Sequence, residues 1–349
     1  MIPVAASLTG ARDTDRGMMR AWATASVPGV MELIERPVPT PLDDEVLVRV
    51  EACGACRTDL HVVDRELPVH LDRVTPGHQV VGIVAETGRA VRELRIGDRV
   101  GIAWLRHTCG TCRWCRAGQE NLCPSSEYTG WDAHGGFAEY ATVAEAFAYV
   151  LPADADPVAV APLLCAGIIG YRALTRAHLP VAGRLGIYGY GSSAHLTAQV
   201  AMAQGADVFV MTRGERNREL ARRAGASFVG EAADRPPVVL DSAIVFAPAG
   251  ELVPLALQAT VRGGTVVLAG IHMSDIPAMS YAHNLFHERD LRTVTANTRA
   301  DGAEFLRVAA ALGIAASTTT YSFEHAADAL EDLRAGRSAG SLVVAIGPK

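Results

Sequence analysis

The stretch that decides the fold is residues 185–194, Leu-Gly-Ile-Tyr-Gly-Tyr-Gly-Ser-Ser-Ala. Its apolar first part, Leu185–Tyr188, predicts a short buried strand because the run is brief and stops at a glycine. The following residues, from Ser192 to Gln204, predict a helix that Gly205 closes at the C-terminal cap position. A strand, a tight turn and a helix therefore follow one another directly.

The turn in this unit carries the pattern Gly189-x-Gly191-x-x-Ala194. Glycines at these positions permit a sharp turn and let the backbone approach a pyrophosphate at the N-terminus of the helix. A glycine-rich turn can also be purely structural. Its position between a strand and a helix favours a dinucleotide-binding site, and alanine is tolerated at the third position.

The segments on either side of this unit differ in character. Downstream, strands and helices alternate, which predicts a parallel sheet with right-handed crossovers. The predicted strands are 207–211, 238–241, 243–246 and 265–268, with a helix at 216–224, a later helix at 303–312 and a last strand at 342–346. Upstream, short strands at 45–50, 80–85 and 99–103 separated by turns predict a small antiparallel barrel.

Length and composition limit the possible classes of protein. A chain of 349 residues, 49% hydrophobic and 20% charged, is long enough for two globular domains. The net charge of −6 without a basic block argues against nucleic-acid binding. The apolar runs are too short for a transmembrane helix. Residues 1–17 lack the pattern of a signal peptide, so we expect a flexible tail, Met18 or Met19 as an alternative start, and a cytoplasmic protein.

Four of the seven cysteines lie within fifteen residues. They are Cys109, Cys112, Cys115 and Cys123, and four closely spaced thiolates are the usual ligands of a structural zinc ion. Unrelated thiols or an iron–sulfur cluster are the alternatives. A disulfide framework is improbable in a long chain that has an odd number of cysteines and no export signal.

Three further motifs are ambiguous when each is taken alone. The pair Cys53 and Cys56 could be redox-active or part of a zinc site. His78, in a Pro-Gly-His-Gln sequence that ends at Gln79, could be an ordinary buried histidine. Cys165, in an apolar Pro-Leu-Leu-Cys-Ala-Gly segment, could be a small core residue.

Taken in order, these motifs resemble the zinc-containing medium-chain alcohol dehydrogenases from about Met19 to the end of the chain. The order is CxxC-Arg-Thr-Asp-x-His, Gly-His, a four-cysteine lobe, Pro-Leu-Leu-Cys-Ala-Gly and the glycine turn. The resemblance implies an α/β protein in which a Rossmann doubly wound parallel sheet is inserted into a GroES-like β-barrel catalytic domain. The implied divisions are a tail at 1–18, a catalytic domain at 19–165 and 300–349 with a zinc lobe at about 105–124, and a Rossmann domain at 166–299.

The same resemblance implies the roles of individual residues. Cys56, His78 and Cys165 would hold a catalytic zinc, and Cys53 would be left over. Thr58 and His61 would form a proton relay, Asp59 would orient a metal ligand, Arg57 would contact the pyrophosphate of the cofactor, and Trp104 would narrow the substrate pocket. Three ligands leave one position of a zinc ion open to act as a Lewis acid on the substrate oxygen.

Three positions depart from the family pattern. Gln79 replaces the usual glutamate after the zinc histidine. Residues 336–341, Gly-Arg-Ser-Ala-Gly-Ser, lack the arginine expected at the pyrophosphate, although Arg337 is near. After the second Rossmann strand, Thr212 and Arg213 stand where an acidic residue would select NAD, and an arginine can bind the extra phosphate of NADP.

The sequence therefore predicts an enzyme with two zinc ions that interconverts small primary alcohols and aldehydes, with NADP favoured and NAD as the alternative. We expect a homodimer or homotetramer and no nucleic-acid or membrane partner. A zinc-free quinone or enoyl reductase would lack the cysteine ligands. A catalytically silent regulatory protein that binds NADP or zinc on the same fold remains the other alternative.

Overall fold

The structure of the protein is a computed structural model that describes residues 17–347. The predicted tail thus lies outside the described residues except for Gly17 and Met18, and Met18 already begins the first strand. The strands are β1 (Met18–Thr24), β2 (Met31–Pro37), β3 (Glu45–Ala55), β4 (Gln79–Thr87), β5 (Arg99–Ile102), β6 (Leu105–His107), β7 (Glu127–Tyr128), β8 (Tyr140–Ala144), β9 (Ala148–Val150), β10 (Arg184–Tyr188), β11 (Asp207–Met211), β12 (Phe228–Gly230), β13 (Leu240–Val245), β14 (Thr260–Leu268), β15 (Asp290–Thr293), β16 (Thr318–Ser322) and β17 (Ser341–Ala345). The α-helices are α1 (Arg57–Val63), α2 (Arg113–Arg116), α3 (Pro157–Val160), α4 (Ala166–Arg176), α5 (Ser192–Ala203), α6 (Glu215–Arg223), α7 (Leu252–Ala259), α8 (Tyr281–Asn284), α9 (Arg299–Leu312) and α10 (Ala326–Arg334).

The central part of the chain forms a parallel sheet with the order β12-β11-β10-β13-β14-β15. The strand order reverses direction beside β10, which is the switch point at which dinucleotides bind in doubly wound folds. Strand β10 is nearly all apolar because helices cover both faces of such a sheet. Leu185 and Ile187 accordingly have no exposed surface.

The second sheet joins the two ends of the chain. Its strand order is β16-β17-β3-β4-β5-β9, and β8 pairs with β3. Because β17 from the C-terminal end runs antiparallel to β3 from the N-terminal part, the parallel sheet is an insertion within this second sheet. The predicted fold class is therefore confirmed.

One element of the parallel sheet differs from its prediction. The strands predicted at 238–241 and 243–246 are a single strand, β13. Ser242, the polar residue that seemed to interrupt the run, is buried, and its hydroxyl donates a hydrogen bond to the carbonyl of Ala177 at 2.7 Å. A satisfied hydroxyl can lie inside a buried strand, so polarity alone did not mark a break there.

The four-cysteine segment forms a lobe between β6 and β7, and it is tied to the start of α9. Arg299 donates to the carboxylate of Glu120 through its backbone N–H at 2.8 Å and through its guanidinium at 2.6 Å. The guanidinium also lies over the ring of Phe147 at 4.6 Å. The lobe is therefore bound to the N-terminus of α9, the helix that follows the last strand of the parallel sheet.

No single helix in residues 17–347 is long and apolar enough to cross a membrane, and segments 157–164 and Ala166–Arg176, which meet at a 43° bend, would qualify only as a broken pair.

Candidate active site and metal centres

Three predicted zinc ligands converge although they lie far apart in sequence. Cys56 immediately precedes α1, His78 precedes β4, and Cys165 precedes α4. Nε2 of His78 lies 3.3 Å from Sγ of Cys56 and 3.3 Å from Sγ of Cys165. All three donor atoms lie within 4.8 Å of one another. Two thiols and one imidazole nitrogen at this spacing fit a zinc ion.

Asp59 orients this ligand set from behind. Its Oδ1 accepts a hydrogen bond from Nδ1 of His78 at 3.0 Å and from the N–H of Gly77 at 2.9 Å. Its Oδ2 accepts from the N–H of Cys56 at 2.8 Å. With the proton of His78 held on Nδ1, the Nε2 lone pair faces the two thiols. Asp59 is 1% exposed, so burial raises the pKa of its carboxyl while the facing His78 lowers it.

An aromatic wall lies beside the zinc ligands. The ring of Trp104 meets the ring of His78 edge-on, with centroids 4.9 Å apart. Trp104 in turn stacks on Tyr128 at 4.8 Å and on Trp131 at 6.0 Å. Trp104 is held in place on several sides, and it takes up space close to the metal position.

Gln79, the residue that replaces the family glutamate, is buried behind the site. It packs against β3 at Gly54, where an added Cβ would lie 2.7 Å from Oε1 of Gln79. Gly54 thus leaves the room that the amide occupies. The amide brings no charge to the predicted zinc ligands, whereas a glutamate at this position would.

The predicted relay residues lie on α1, next to the ligand Cys56. The N–H of Thr58 donates to Sγ of Cys56 at 3.3 Å, and Thr58 is buried. His61 follows one helical turn later, so both side chains share one face of the helix. Nδ1 of His61 forms a short hydrogen bond with Oε2 of Glu66, and the His61 ring lies 5.5 Å from the ring of His272.

The four cysteines of the lobe form the second cluster of metal donors. Their sulfur atoms all lie within 4.8 Å of one another. Backbone N–H groups point at the sulfurs, from Cys112 to Cys109 at 3.3 Å and from Cys109 to Cys123 at 3.4 Å. Hydrogen bonds from Thr111 and Cys112 lower the pKa of Cys109 to about 6. These thiols fit a closed tetrahedral zinc site.

The dinucleotide turn has the geometry that its sequence predicts. Gly189 has φ of +87°, and an added Cβ would lie 2.8 Å from the nitrogen of Ala247. Gly191 caps α5, and apart from its own atoms and those of its two chain neighbours no heavy atom of residues 17–347 lies within 4 Å of the position of an added Cβ. Ala194 is fully buried against the sheet. An anion can therefore approach the backbone at the N-terminus of α5.

The two residues after β11, Thr212 and Arg213, differ in their exposure and in their partners. Thr212 is buried, and its hydroxyl accepts a hydrogen bond from the N–H of Tyr190 at 3.1 Å. Arg213 is exposed and pairs with no carboxylate among residues 17–347. Arg218 instead pairs with Glu215 at 2.8 Å. Arg57, the other predicted cofactor contact, is exposed at the start of α1.

The sequence reasoning missed Glu66 and His272, which lie beside His61. Glu66 lies beyond the end of α1, and His272 comes from the loop after β14, about two hundred residues away. The sequence signal for Glu66 was its position five residues after His61. His272 had no such signal, because only the folded chain brings it to α1.

Similarity to known proteins shows the family to which the chain belongs. Residues 42–153 match the family described as Alcohol dehydrogenase GroES-like domain, and residues 194–311 match Zinc-binding dehydrogenase. The chain is 57% identical over 323 residues to a protein of Mycobacterium tuberculosis named as probable alcohol dehydrogenase AdhA, with 91% of this chain and 93% of that protein covered. The chain belongs to the zinc-containing medium-chain alcohol dehydrogenase family. This dehydrogenase also resembles solved structures.

Two of these structures cover nearly all of the chain. A zinc-binding dehydrogenase of Sinorhizobium meliloti 1021, bound to NADP, is 30% identical, with a TM-score of 0.84 and coverage of 95% of this chain and 100% of that chain. A cinnamyl alcohol dehydrogenase from Sorghum bicolor is 28% identical, with a TM-score of 0.86 and coverage of 95% and 99%. The prediction of an enzyme is confirmed: the protein is a zinc-dependent dehydrogenase that transfers hydride reversibly between an alcohol and a nicotinamide cofactor.

Proposed function

We propose that this dehydrogenase acts on small, unbranched primary alcohols and the corresponding aldehydes. The observation that carries this proposal is the position of Trp104, whose ring centroid lies 4.9 Å from that of the zinc ligand His78. An indole fixed there leaves little width beside the reacting carbon. The buried side chain of Thr58, whose backbone N–H donates to Sγ of Cys56 at 3.3 Å, would take up further space near the metal position.

The zinc ion that acts on substrate would be held by Cys56, His78 and Cys165, and when bound it supplies a Lewis acid for the substrate oxygen. Asp59 keeps Nε2 of His78 free for that purpose. The hydroxyl of Thr58 would accept the proton of the alcohol and release its own hydroxyl proton. His61 would then carry the released proton toward solvent. A second zinc ion, held by the four thiols of the lobe, would be structural.

We propose NADP as the preferred cofactor because Arg213, two residues after β11, presents an exposed guanidinium that pairs with no carboxylate in the described part of the chain. A carboxylate at this position would repel the 2′-phosphate. The dehydrogenase of Sinorhizobium meliloti, 30% identical, was solved with NADP bound. Arg213→Ala should lower the affinity for NADP about 10- to 100-fold, the scale of a hydrogen bond between charged groups, and leave the affinity for NAD unchanged.

The matched control for that experiment is Arg223→Ala. Arg223 is also exposed, but it lies at the end of α6 and pairs with Glu219 at 2.9 Å. Cofactor binding is measured by fluorescence titration for both nucleotides. A wild-type preference for NAD, or an equal loss of affinity for both nucleotides in Arg213→Ala, would reject the proposed selectivity for NADP. The assignment to the family would be unaffected.

A panel of alcohols tests the substrate proposal. We expect kcat/KM for ethanol and 1-propanol to exceed that for isopropanol and for benzyl alcohol. One extra carbon in a tight pocket changes kcat/KM by about 10- to 200-fold, which sets the scale of the expected preference. Equal values for ethanol and isopropanol would contradict the proposal.

We also infer that the protein self-associates and works in the cytoplasm. Tyr281 and Phe286 are each more than half exposed, their ring centroids lie 5.8 Å apart, and they belong to the segment before β15, an edge strand of the sheet formed by the described residues. A pair of exposed aromatic side chains near a strand edge favours a dimer or tetramer. Sedimentation should show an oligomer that Phe286→Glu weakens. The seven free thiols suit a reducing compartment.

A further inference from the structure

The loop between α1 and β4 is fastened to the aromatic wall at three points. Nε1 of Trp131 donates a hydrogen bond to the carbonyl of Pro68 at 2.7 Å, across 63 residues of sequence. The imidazole of His70 stacks on the indole of Trp131, with centroids 4.2 Å apart and planes 17° apart. Nδ1 of His70 lies 2.6 Å from Oδ1 of Asp132. Two distant segments of the chain therefore meet at one indole.

Asp132 fixes the position of the His70 ring. A carboxylate only accepts hydrogen bonds, so Oδ1 of Asp132 takes the proton on Nδ1 of His70. Its Oδ2 accepts from the N–H of Tyr128 at 2.8 Å, which ties the carboxylate to the turn that carries the wall. The side chain of Asp132 is 17% exposed and that of His70 is 41% exposed. The imidazole is thus held by a partly shielded hydrogen bond while its face covers the indole.

Trp131 has free space beside it. A cavity of about 20 Å³ has Pro68, His70, Val74 and Trp131 among its lining residues. A ring next to a void can shift, because the contacts that would oppose its movement are missing on that side. Within the wall, Trp131 meets Trp104 and Tyr128, and the aromatic contact from the loop side is with His70. The stacked imidazole is therefore what restrains the indole from the loop.

Trp131 in turn restrains Trp104. Their planes differ by 4° and their centroids lie 6.0 Å apart. The ring of Trp104 lies beside the predicted zinc ligand His78, at 4.9 Å. A substrate that pushes Trp104 aside must therefore also displace Trp131 from its contacts. The restraint that begins at His70 reaches the metal position through two indoles.

We propose that His70 is a positioning residue for substrate selection: its ring, held by Asp132, keeps Trp131 against Trp104 and so excludes bulky alcohols. The inference rests on the proposed function, because it requires Trp104 to narrow the substrate pocket. It adds a determinant outside the pocket, on the loop after α1. The substrates that it disfavours are aromatic and branched alcohols, whereas ethanol can bind without moving the wall.

Two substitutions of His70 test whether its ring restrains the wall. His70→Ala removes the ring, and His70→Phe keeps an aromatic ring without Nδ1. The measurement is kcat/KM for benzyl alcohol and for ethanol, at saturating cofactor. For His70→Ala we expect the ratio of benzyl alcohol to ethanol to rise about 2- to 10-fold, the factor to which one aromatic pair corresponds. For His70→Phe the ratio should stay within about twofold of the wild type.

Further readouts separate this role from a general loss of structure. In His70→Ala the gain for benzyl alcohol should appear mainly as a lower KM, whereas a damaged fold would lower kcat/KM for both alcohols. Quenching of tryptophan emission by acrylamide should increase in His70→Ala and not in His70→Phe. If His70→Ala does not fold, Asp132→Asn decides the point: an amide has one oxygen for the two donors of Tyr128 and His70, so the ratio should rise there too.

The control is His325→Ala, which removes another histidine–aspartate pair, with Asp328 at 2.6 Å, on exposed surface. Its ratio of benzyl alcohol to ethanol should match that of the wild type. In a Trp104→Ala background, His70→Ala should add little to the ratio, because the ring that it restrains indirectly is already gone.

The outcomes distinguish the two proposals. If Trp104→Ala leaves the ratio unchanged, the proposed narrowing of the pocket by Trp104 fails. If Trp104→Ala raises the ratio while His70→Ala keeps the wild-type value, the proposed function stands and this inference is overturned. An equal rise in His70→Ala and His70→Phe would also overturn it, because the stacked ring would then not be what restrains the wall.

Discussion

Replacing Asp59 by asparagine is the sharpest test of how the proposed catalytic zinc is held. The carboxylate of Asp59 accepts hydrogen bonds from His78, Gly77 and Cys56, at 3.0, 2.9 and 2.8 Å. An amide has one oxygen, so even in its better orientation its NH₂ group faces one of these N–H donors. The unpaired donor and the lost charge should cost about 1.5–3 kcal/mol, which corresponds to about a 10- to 100-fold loss of zinc affinity.

The assay is competition for zinc with a coloured chelator, read together with turnover. The wild type should release its catalytic zinc only at high chelator concentration, and Asp59→Asn should release it at a concentration about 10- to 100-fold lower. The zinc ion proposed for the lobe should be unaffected, which provides an internal reference. Asp64→Asn is the matched control, because Asp64 caps the other end of α1 and pairs with Arg334 at 2.6 Å. Equal zinc retention in wild type and Asp59→Asn would refute the reasoning.

Three other predictions follow from separate parts of the molecule. Burial lowers the pKa of His134 to about 4. Between about pH 6.5 and pH 4, His134 therefore binds a proton in the unfolded chain but stays neutral in the native state. The wild type should thus lose about 1–3 kcal/mol more unfolding free energy between pH 7 and pH 4.5 than His134→Asn, and equal losses in denaturant titrations would contradict this. Cys165→Ala should abolish turnover while the melting temperature stays nearly unchanged, whereas Cys112→Ala should lower the melting temperature and the zinc content; the reverse pattern would exchange the two zinc roles. Trp104→Ala should raise kcat/KM for isopropanol relative to ethanol about tenfold or more, and an unchanged ratio would mean that the indole only packs the barrel.

Local patterns predicted β10, β11, β13 and the second half of β14, because these are short apolar runs, whereas the outer strands β12 and β15 of the same sheet were not predicted. Strand β11 has the predicted bounds, Asp207–Met211, to the residue. Strand β16, Thr318–Ser322, was not predicted, since it lies at a sheet edge, is half exposed and shows no apolar alternation. An edge strand of this kind gains its structure from the neighbour with which it pairs, β17, and not from its own residues.

The residues of the candidate site likewise divide into those that local patterns predict and those that only the folded chain brings together. The four thiols of the lobe could be assigned from spacing alone, because they lie within one short segment. The convergence of Cys56, His78 and Cys165 could be inferred only from resemblance, since three separate elements bring them together. The bond between Arg299 and Glu120 spans 179 residues and had no sequence signal. Long-range partners depend on the whole packing, which local patterns do not encode.

The aromatic wall beside the zinc ligands has an optical consequence. The ring planes of Trp104 and Trp131 are nearly parallel, at 4° with centroids 6.0 Å apart, so changes at this wall should alter the circular dichroism of the tryptophans. Both belong to a set of only four tryptophans in the chain. Reduced nicotinamide absorbs where tryptophan emits, so a bound reduced cofactor should quench this emission by energy transfer. The tryptophan emission should therefore report the binding of the reduced cofactor in a stopped-flow instrument before an aldehyde is added.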